Sequence, residues 1–215
     1  MPRPGRSLLA FDRRLGVRFV AGADEAGRGS LAGPLVAAAV LLDYEHLRGR
    51  RTAALGLLND SKQLTHDARE RLLASVLACA RAVAVEIVSP REIDRTGLHR
   101  SNLRALAAAL RALGPAAEIR LVDGFRLGPS APPHRAIVDG DTKSAAIAAA
   151  SVVAKVVRDR TMRRLDAVYP AFGFASHVGY ITPAHAAVVK ARGPCDLHRR
   201  SFNALCYSDG EDEAA

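Results

Sequence analysis

Asp24 and Glu25 stand side by side at the end of an apolar run, directly before Ala26-Gly27-Arg28-Gly29, a turn broken by two glycines. Adjacent carboxylates in such a place can hold something cationic, and bare glycine backbone lets a substrate come close to main-chain N–H groups. A metal ion and a phosphodiester are the chemical pair that fits. Neighbouring side chains of a strand face opposite ways, so the pair is expected to converge on one ligand because the strand ends there. Asp123 closes a second apolar run, and Asp141 follows a third. Four acids at element ends, Asp24, Glu25, Asp123 and Asp141, are the donors that two hard divalent cations require, since Mg²⁺ and Mn²⁺ prefer carboxylate and water oxygens. Two such ions, roughly 3.5 to 4 Å apart, can activate a water and stabilise the leaving oxygen of an in-line phosphodiester displacement.

The elements that must position these acids follow from periodicity and caps. Apolar runs at 17–24 and 35–42, joined by the glycine turn, predict antiparallel strands. Thr65 is a helix cap with Asp67 in the first turn, and Leu72, Leu73, Val76, Leu77 and Ala80 make the apolar face. Residues 82–88 predict a strand. Ser89-Pro90-Arg91-Glu92 has the capping-box pattern, so a short helix runs from there to Gly97. Leu103, Leu106, Leu110 and Leu113 recur at helical spacing up to Gly114-Pro115, after which Glu118 to Val122 is a strand delivering Asp123. A loop over 124–133 and an apolar stretch at 135–138 lead to Asp141, and a long alanine-rich helix spans about Lys143 to Val168. The tail holds a polar loop with Tyr180 and a helix start at Thr182-Pro183. Early strands followed by alternating helices and strands imply an α/β fold with a mixed central sheet flanked by helices. Sites in such sheets favour strand ends.

The chain has 215 residues, of which 49% are hydrophobic and 25% charged, a globular composition long enough to bury a core. A formal net charge of +9 favours an acidic partner such as nucleic acid. Arginine far outnumbers lysine, a bias that genome composition produces without selection for phosphate, so charge is a weak guide. Cys79, Cys195 and Cys206 share no short metal-ligand spacing and leave an odd one over, so neither a disulfide framework nor a structural zinc site is suggested, and a reducing cytosol fits. No apolar stretch is long enough to span a bilayer, and the N-terminal Ser-Leu-Leu-Ala-Phe is too short for a signal-peptide core.

Several motifs together resemble the ribonuclease HII family across about residues 18–203: Asp24-Glu25-Ala-Gly-Arg-Gly, Asp60-Ser61-Lys62-Gln-Leu-Thr, Val122-Asp123-Gly124, Gly140-Asp141, the helix segment from Ser151 through Lys155 and Arg158-Asp159-Arg160, His177-Val-Gly-Tyr180, and His198-Arg-Arg-Ser-Phe. The resemblance implies a ribonuclease H-like fold with a small helical C-terminal appendage at about 170–203, preceded by an extension over 1–17 and followed by an acidic tail at 204–215, read as disordered. It implies an endonuclease that cuts 5′ to ribonucleotides in RNA/DNA hybrids and to single ribonucleotides embedded in duplex DNA, leaving a 3′-hydroxyl and a 5′-phosphate. Removal of misincorporated ribonucleotides and RNA primers is the implied role, by a cytoplasmic monomer with no membrane partner.

By that resemblance Asp24, Glu25, Asp123 and Asp141 are the catalytic acids and hold two Mn²⁺ or Mg²⁺ ions. The Gly27, Arg28 and Gly29 backbone meets the ribose 2′-hydroxyl, the atom that separates RNA from DNA. Tyr180 stacks on the following sugar, and Ser61 and Lys62 hold a backbone phosphate. Lys155, Arg158, Arg199 and Arg200 are available as cations along the duplex. His185 and His198 have two readings, satisfying backbone groups or meeting a phosphate. Asp159, flanked by Arg158 and Arg160 in the long helix, is read as structural. Two departures from the family pattern stand out: Ser30 replaces a usual proline, and Asp139 replaces a common lysine, which makes Asp139 a rival to Asp141. The other readings of the chain are a ribonuclease HIII-like hybrid nuclease and a basic, non-catalytic nucleic-acid binder.

Overall fold

A computed structural model of the chain describes residues 4–47, 50–58 and 65–207. In chain order, α1 (Pro4–Arg13) precedes two long strands, β1 (Phe19–Ala26) and β2 (Leu35–Asp43). The helices α2 (Arg50–Ala54) and α3 (His66–Cys79) lead to β3 (Ala80–Val88). Next come α4 (Pro90–Thr96), α5 (Leu98–Ala112), β4 (Ile119–Asp123), β5 (Arg135–Ile137) and the long α6 (Ala145–Asp166). The described chain closes with the short α7 (Phe174–His177) and α8 (Pro183–Arg192). The strands form one mixed sheet in the order β3-β2-β1-β4-β5. β1 and β2 are antiparallel, as are β2 and β3, whereas β1, β4 and β5 run parallel.

Alternation along the strands feeds two apolar layers. Val20, Val36, Val40 and Leu121 pack beneath α6 and α1, while Ala21, Ala23, Ala39 and Val122 pack beneath α5 on the other face. With both faces covered, all nine residues of β2 are buried, which is why it reads as an unbroken apolar run rather than an alternating one. Small residues bring α6 close to the sheet. A Cβ built on Gly22 would lie 2.1 Å from the Ala146 carbonyl carbon, so only glycine fits where β1 and α6 touch.

Residues 4–13, in the segment read from sequence as an extension, form a helix that belongs to this core. Leu8 and Leu9 are buried, and Asp12 accepts hydrogen bonds from the Tyr44 hydroxyl at 2.6 Å and the Ala146 N–H at 2.9 Å. A carboxylate thus satisfies an open N–H at the start of α6, next to its own cap, Ser144.

The expected caps are present: Thr65 accepts from the Ala68 N–H, Ser89 from the Glu92 N–H and Thr182 from the His185 N–H. Only half of the capping box at Ser89 forms, because the Glu92 carboxylate pairs with Arg95. On α3 the expected apolar face is shorter than its sequence pattern. Leu72, Leu73 and Val76 are buried, but Leu77 is exposed and Ala80 already belongs to β3. Among the described residues no helix is long and apolar enough to cross a membrane.

Candidate active site

β1 does not stop at the acid pair. It continues through Ala26, with Asp24 opposite Ala38 and Glu25 opposite Ala37, so the two carboxylates obey the alternation and lean toward different faces. Asp24 turns to the α6 side, where Ser151 hydrogen-bonds it, and its Oδ1 accepts the Glu25 N–H at 2.7 Å. Glu25 turns to the α5 side beside Asn102. The expectation that an early strand end lets the pair converge is therefore corrected: the strand runs on, and the two acids border one cleft from its two walls.

Asp123 ends β4, the parallel neighbour of β1, in a register that pairs Ala23 with Val122. Its Oδ1 accepts the Gly140 N–H at 2.6 Å. That bond ties the short 3₁₀ turn Gly140–Thr142, and with it the buried Asp141, to the β4 carboxylate. Asp139 is exposed and left-handed at φ 51°, whereas Asp141 is buried.

A cleft of about 380 Å³ is lined by Asp24, Glu25, Asp123, the Gly27-Arg28-Gly29 turn, Arg69, Ser151, Lys155 and Tyr180. A second hollow, of about 470 Å³, shares none of these residues and is edged by Arg100, Arg104 and Arg111 of α5. Burial pushes the Asp24 carboxyl up to about 8, with help from the nearby Glu25 and Asp123. Glu25 is raised to about 7, again chiefly by burial, against the lowering pull of Arg28. Its Oε2 is buried without a hydrogen-bond partner among the described residues, as are both amide atoms of Asn102. Crowded, under-satisfied carboxylate oxygens of this kind ask for a cation, and an all-oxygen donor set suits a hard one. Among the described residues, no three acids, cysteines and histidines are placed so that they could hold a metal ion together.

Tyr180 is 36% exposed, with Lys155 Nζ 5.1 Å and the Arg158 guanidinium 5.2 Å from its ring centre. Arg158 itself is not a surface cation. It is fully buried and donates to the carbonyls of Pro34, Ala32 and Val178 at 3.0, 3.1 and 2.9 Å. Arg199 is buried too and donates to Gly33 and Arg28 carbonyls. These two guanidiniums brace the backbone from Arg28 to Pro34 from beneath, so of the four expected duplex cations only Lys155 and Arg200 remain reachable. Arg158 also explains Gly27, whose Cβ would fall 1.9 Å from its Nε. Gly29 has open space instead, which leaves its bare backbone facing the cleft.

Asp159 forms its ion pairs elsewhere than with its flanking arginines. Lys155 Nζ lies 2.8 Å away and Arg69 Nη1 3.9 Å away. His185 and His198 are buried and bonded to backbone and to each other. Ser61 and Lys62 lie outside the described residues. Sequence reading missed Arg69, which lines the cleft, and Asn102, which lies beside Glu25; the one signal for Asn102 was an amide on the largely apolar buried stripe of α5.

A mixed five-stranded sheet with carboxylates at the adjacent ends of β1 and β4 and a long helix across one face defines a ribonuclease H-like fold bearing a nuclease-type acid cleft. The ribonuclease HII family model matches residues 21–205. The ribonuclease HII of Geobacillus thermodenitrificans is 48% identical over 198 residues, covering 91% of this chain and 73% of that protein. The ribonuclease HII of Salinispora arenicola is 50% identical over 198 residues, covering 91% and 72%. The crystal structure of ribonuclease H2 from Pyrococcus horikoshii superimposes with a TM-score of 0.73 at 29% identity, covering 86% of this chain and 94% of that one. The chain belongs to the ribonuclease HII family and is a ribonuclease H enzyme, a metal-dependent nuclease acting on nucleic acid. That membership sets aside the non-catalytic binder and the ribonuclease HIII-like reading.

Proposed function

We propose that the cleft hydrolyses the phosphodiester 5′ to a ribonucleotide, in RNA/DNA hybrids and at single ribonucleotides embedded in duplex DNA, leaving a 3′-hydroxyl and a 5′-phosphate. The observation that carries this reading is one cleft lined by three acids, by the open backbone of Gly29 and by the ring of Tyr180. Asp24, Glu25, Asp123 and Asp141 are the residues that would hold two Mg²⁺ or Mn²⁺ ions, which when bound supply charge neutralisation at the scissile phosphate and activation of water. The Gly27-Arg28-Gly29 main chain reads the 2′-hydroxyl, which approaches where Gly29 leaves space. Tyr180 stacks on the next sugar, where a second 2′-hydroxyl would be crowded. Lys155, held by Asp159 at the rim, faces backbone phosphate, and Ser61 and Lys62 are assigned the same task. In this reading residues 18–203 are the catalytic unit, with 170–203 as a substrate-binding appendage. The enzyme acts as a cytoplasmic monomer that removes misincorporated ribonucleotides and RNA primers.

The test is digestion of an end-labelled duplex carrying one ribonucleotide, in Mg²⁺, Mn²⁺ or EDTA, with both new termini mapped. A single cut 5′ to the ribonucleotide that EDTA abolishes is the expected result. Binding without cleavage in either metal, or a cut 3′ to the ribonucleotide, would overturn the reading.

A further inference from the structure

His185 and His198 take no part in the chemistry above, yet both are buried in a nest made by Phe172, Phe174 and Tyr207. Their hydrogen bonds fix which nitrogen carries each proton. His198 Nδ1 accepts the Cys195 N–H at 3.0 Å, so in the neutral ring its proton must sit on Nε2. That Nε2 lies 3.1 Å from His185 Nε2, which must then be the bare acceptor, and the remaining His185 proton on Nδ1 donates to the Tyr180 carbonyl at 2.9 Å. Each ring thus dictates the tautomer of the next. The chain of bonds ends on the backbone of the residue whose ring edges the cleft.

Tyr180 is gripped on its other side as well. Its N–H donates to the His177 carbonyl at 2.9 Å, and the preceding Gly179 carbonyl accepts the Ala32 N–H at 3.1 Å. The Gly179 N–H in turn donates to His177 Nδ1. The tyrosine ring is left in the cleft while its main chain is held by groups that never reach the substrate.

We propose that His185 and His198 are positioning residues for Tyr180: a two-histidine relay with one fixed tautomer per ring sets the place of the ring and so the preference for a single embedded ribonucleotide. The proposal rests on the functional reading above for the role of Tyr180, but its geometry can be tested without any substrate. In long-range ¹H–¹⁵N spectra of the neutral enzyme, His185 is expected with the proton on Nδ1 and His198 with the proton on Nε2. The opposite tautomer at either ring overturns the relay.

The functional arm compares kcat/KM on an embedded ribonucleotide and on a continuous hybrid. His185→Leu is expected to lower the ratio of the first to the second about as far as Tyr180→Ala does, on the order of fivefold to tenfold for a lost stacking contact. His185→Asn keeps a donor where Nδ1 stood and is expected to recover most of that ratio. Because the relay acts through Tyr180, adding His185→Leu to Tyr180→Ala is expected to cost less than about twofold more, the signature of coupled residues. His198→Asn keeps an acceptor for the Cys195 N–H and cuts only the link between the rings, which serves if His185→Leu does not fold. Losses that multiply in the double variant, or that fall equally on both substrates, overturn the positioning role. A wild-type enzyme that leaves embedded ribonucleotides uncut while showing the expected tautomers refutes the functional reading alone.

Discussion

Asp24 and Glu25 are adjacent in sequence and nonetheless occupy opposite sides of β1, one against Ser151 and the other beside Asn102. What joins them is the cleft and the negative charge they share with Asp123, not a common direction. Asp139 and Asp141 differ in their setting too, the first exposed and the second buried. Asp141→Asn is expected to abolish cleavage while leaving duplex binding nearly unchanged, because the amide keeps the shape and loses the charge. Asp139→Asn, on an exposed left-handed residue, is expected to cut as the wild type does; the reverse pattern in a single-turnover assay would reassign the fourth acid. The glycines of the turn separate as well. Gly29→Val is expected to fold, since nothing lies within 4 Å of a new Cβ, and to lose most cleavage at a single ribonucleotide because the β-branched side chain fills the approach to the main chain. Gly27→Ala is expected to lose stability first, as φ is +87° and Arg158 occupies the space. Circular dichroism melts beside the cleavage assay check both; a fully active, folded Gly29→Val removes the turn from sugar recognition.

At the scale of elements, α6 is the part on which the site depends. It presents Ser151 to Asp24, Lys155 to the rim and Arg158 to the turn. Its register against β1 is set by Gly22, and its N-terminus is held by Asp12 from α1. Asp12→Ala is expected to destabilise the fold by about 1 to 3 kcal/mol, the range for leaving buried donors unpartnered, here the Tyr44 hydroxyl and the Ala146 N–H. Urea unfolding at neutral pH measures it. An unchanged midpoint would mean that α1 is not part of the cooperative unit.

For the molecule as a whole, pH reports how the sheet is closed at its far end. Arg18, just before β1, makes a forked pair with Asp43 at the end of β2, and this holds the Asp43 carboxyl down at about 2. A folded-state value below the ordinary 3.8 means that the stabilisation is complete above about pH 4 and drains away as pH falls toward 2. Asp43→Asn is therefore expected to lower the thermal midpoint at pH 7, and the gap to the wild type is expected to narrow between about pH 4 and pH 2. A gap that stays constant over that window would show that the forked pair is not what the substitution removes. His198 acts with the same sign at higher pH. Burial, reinforced by His185, lowers it to about 4, so an unfolded chain gains a proton below 6.5 that the folded chain refuses, and stability falls from there toward pH 4.

The sequence by itself determined most of the elements, the place of Asp123 at the end of its strand, and the family, because caps, apolar periods and motif order are local and survive translation into one dimension. What it left undecided was every question of direction. Arg158, Arg199, His185 and His198 read as candidates for phosphate until the tertiary structure turned them inward onto carbonyls and onto one another. A charged side chain advertises solvent in a sequence, and only a fold that supplies acceptors around it can make burial the lower free energy. The strand that ran past Glu25, the helix at 4–13 that joined the core, and Asn102 set beside the acids came likewise from packing between segments distant in sequence, which no local pattern encodes.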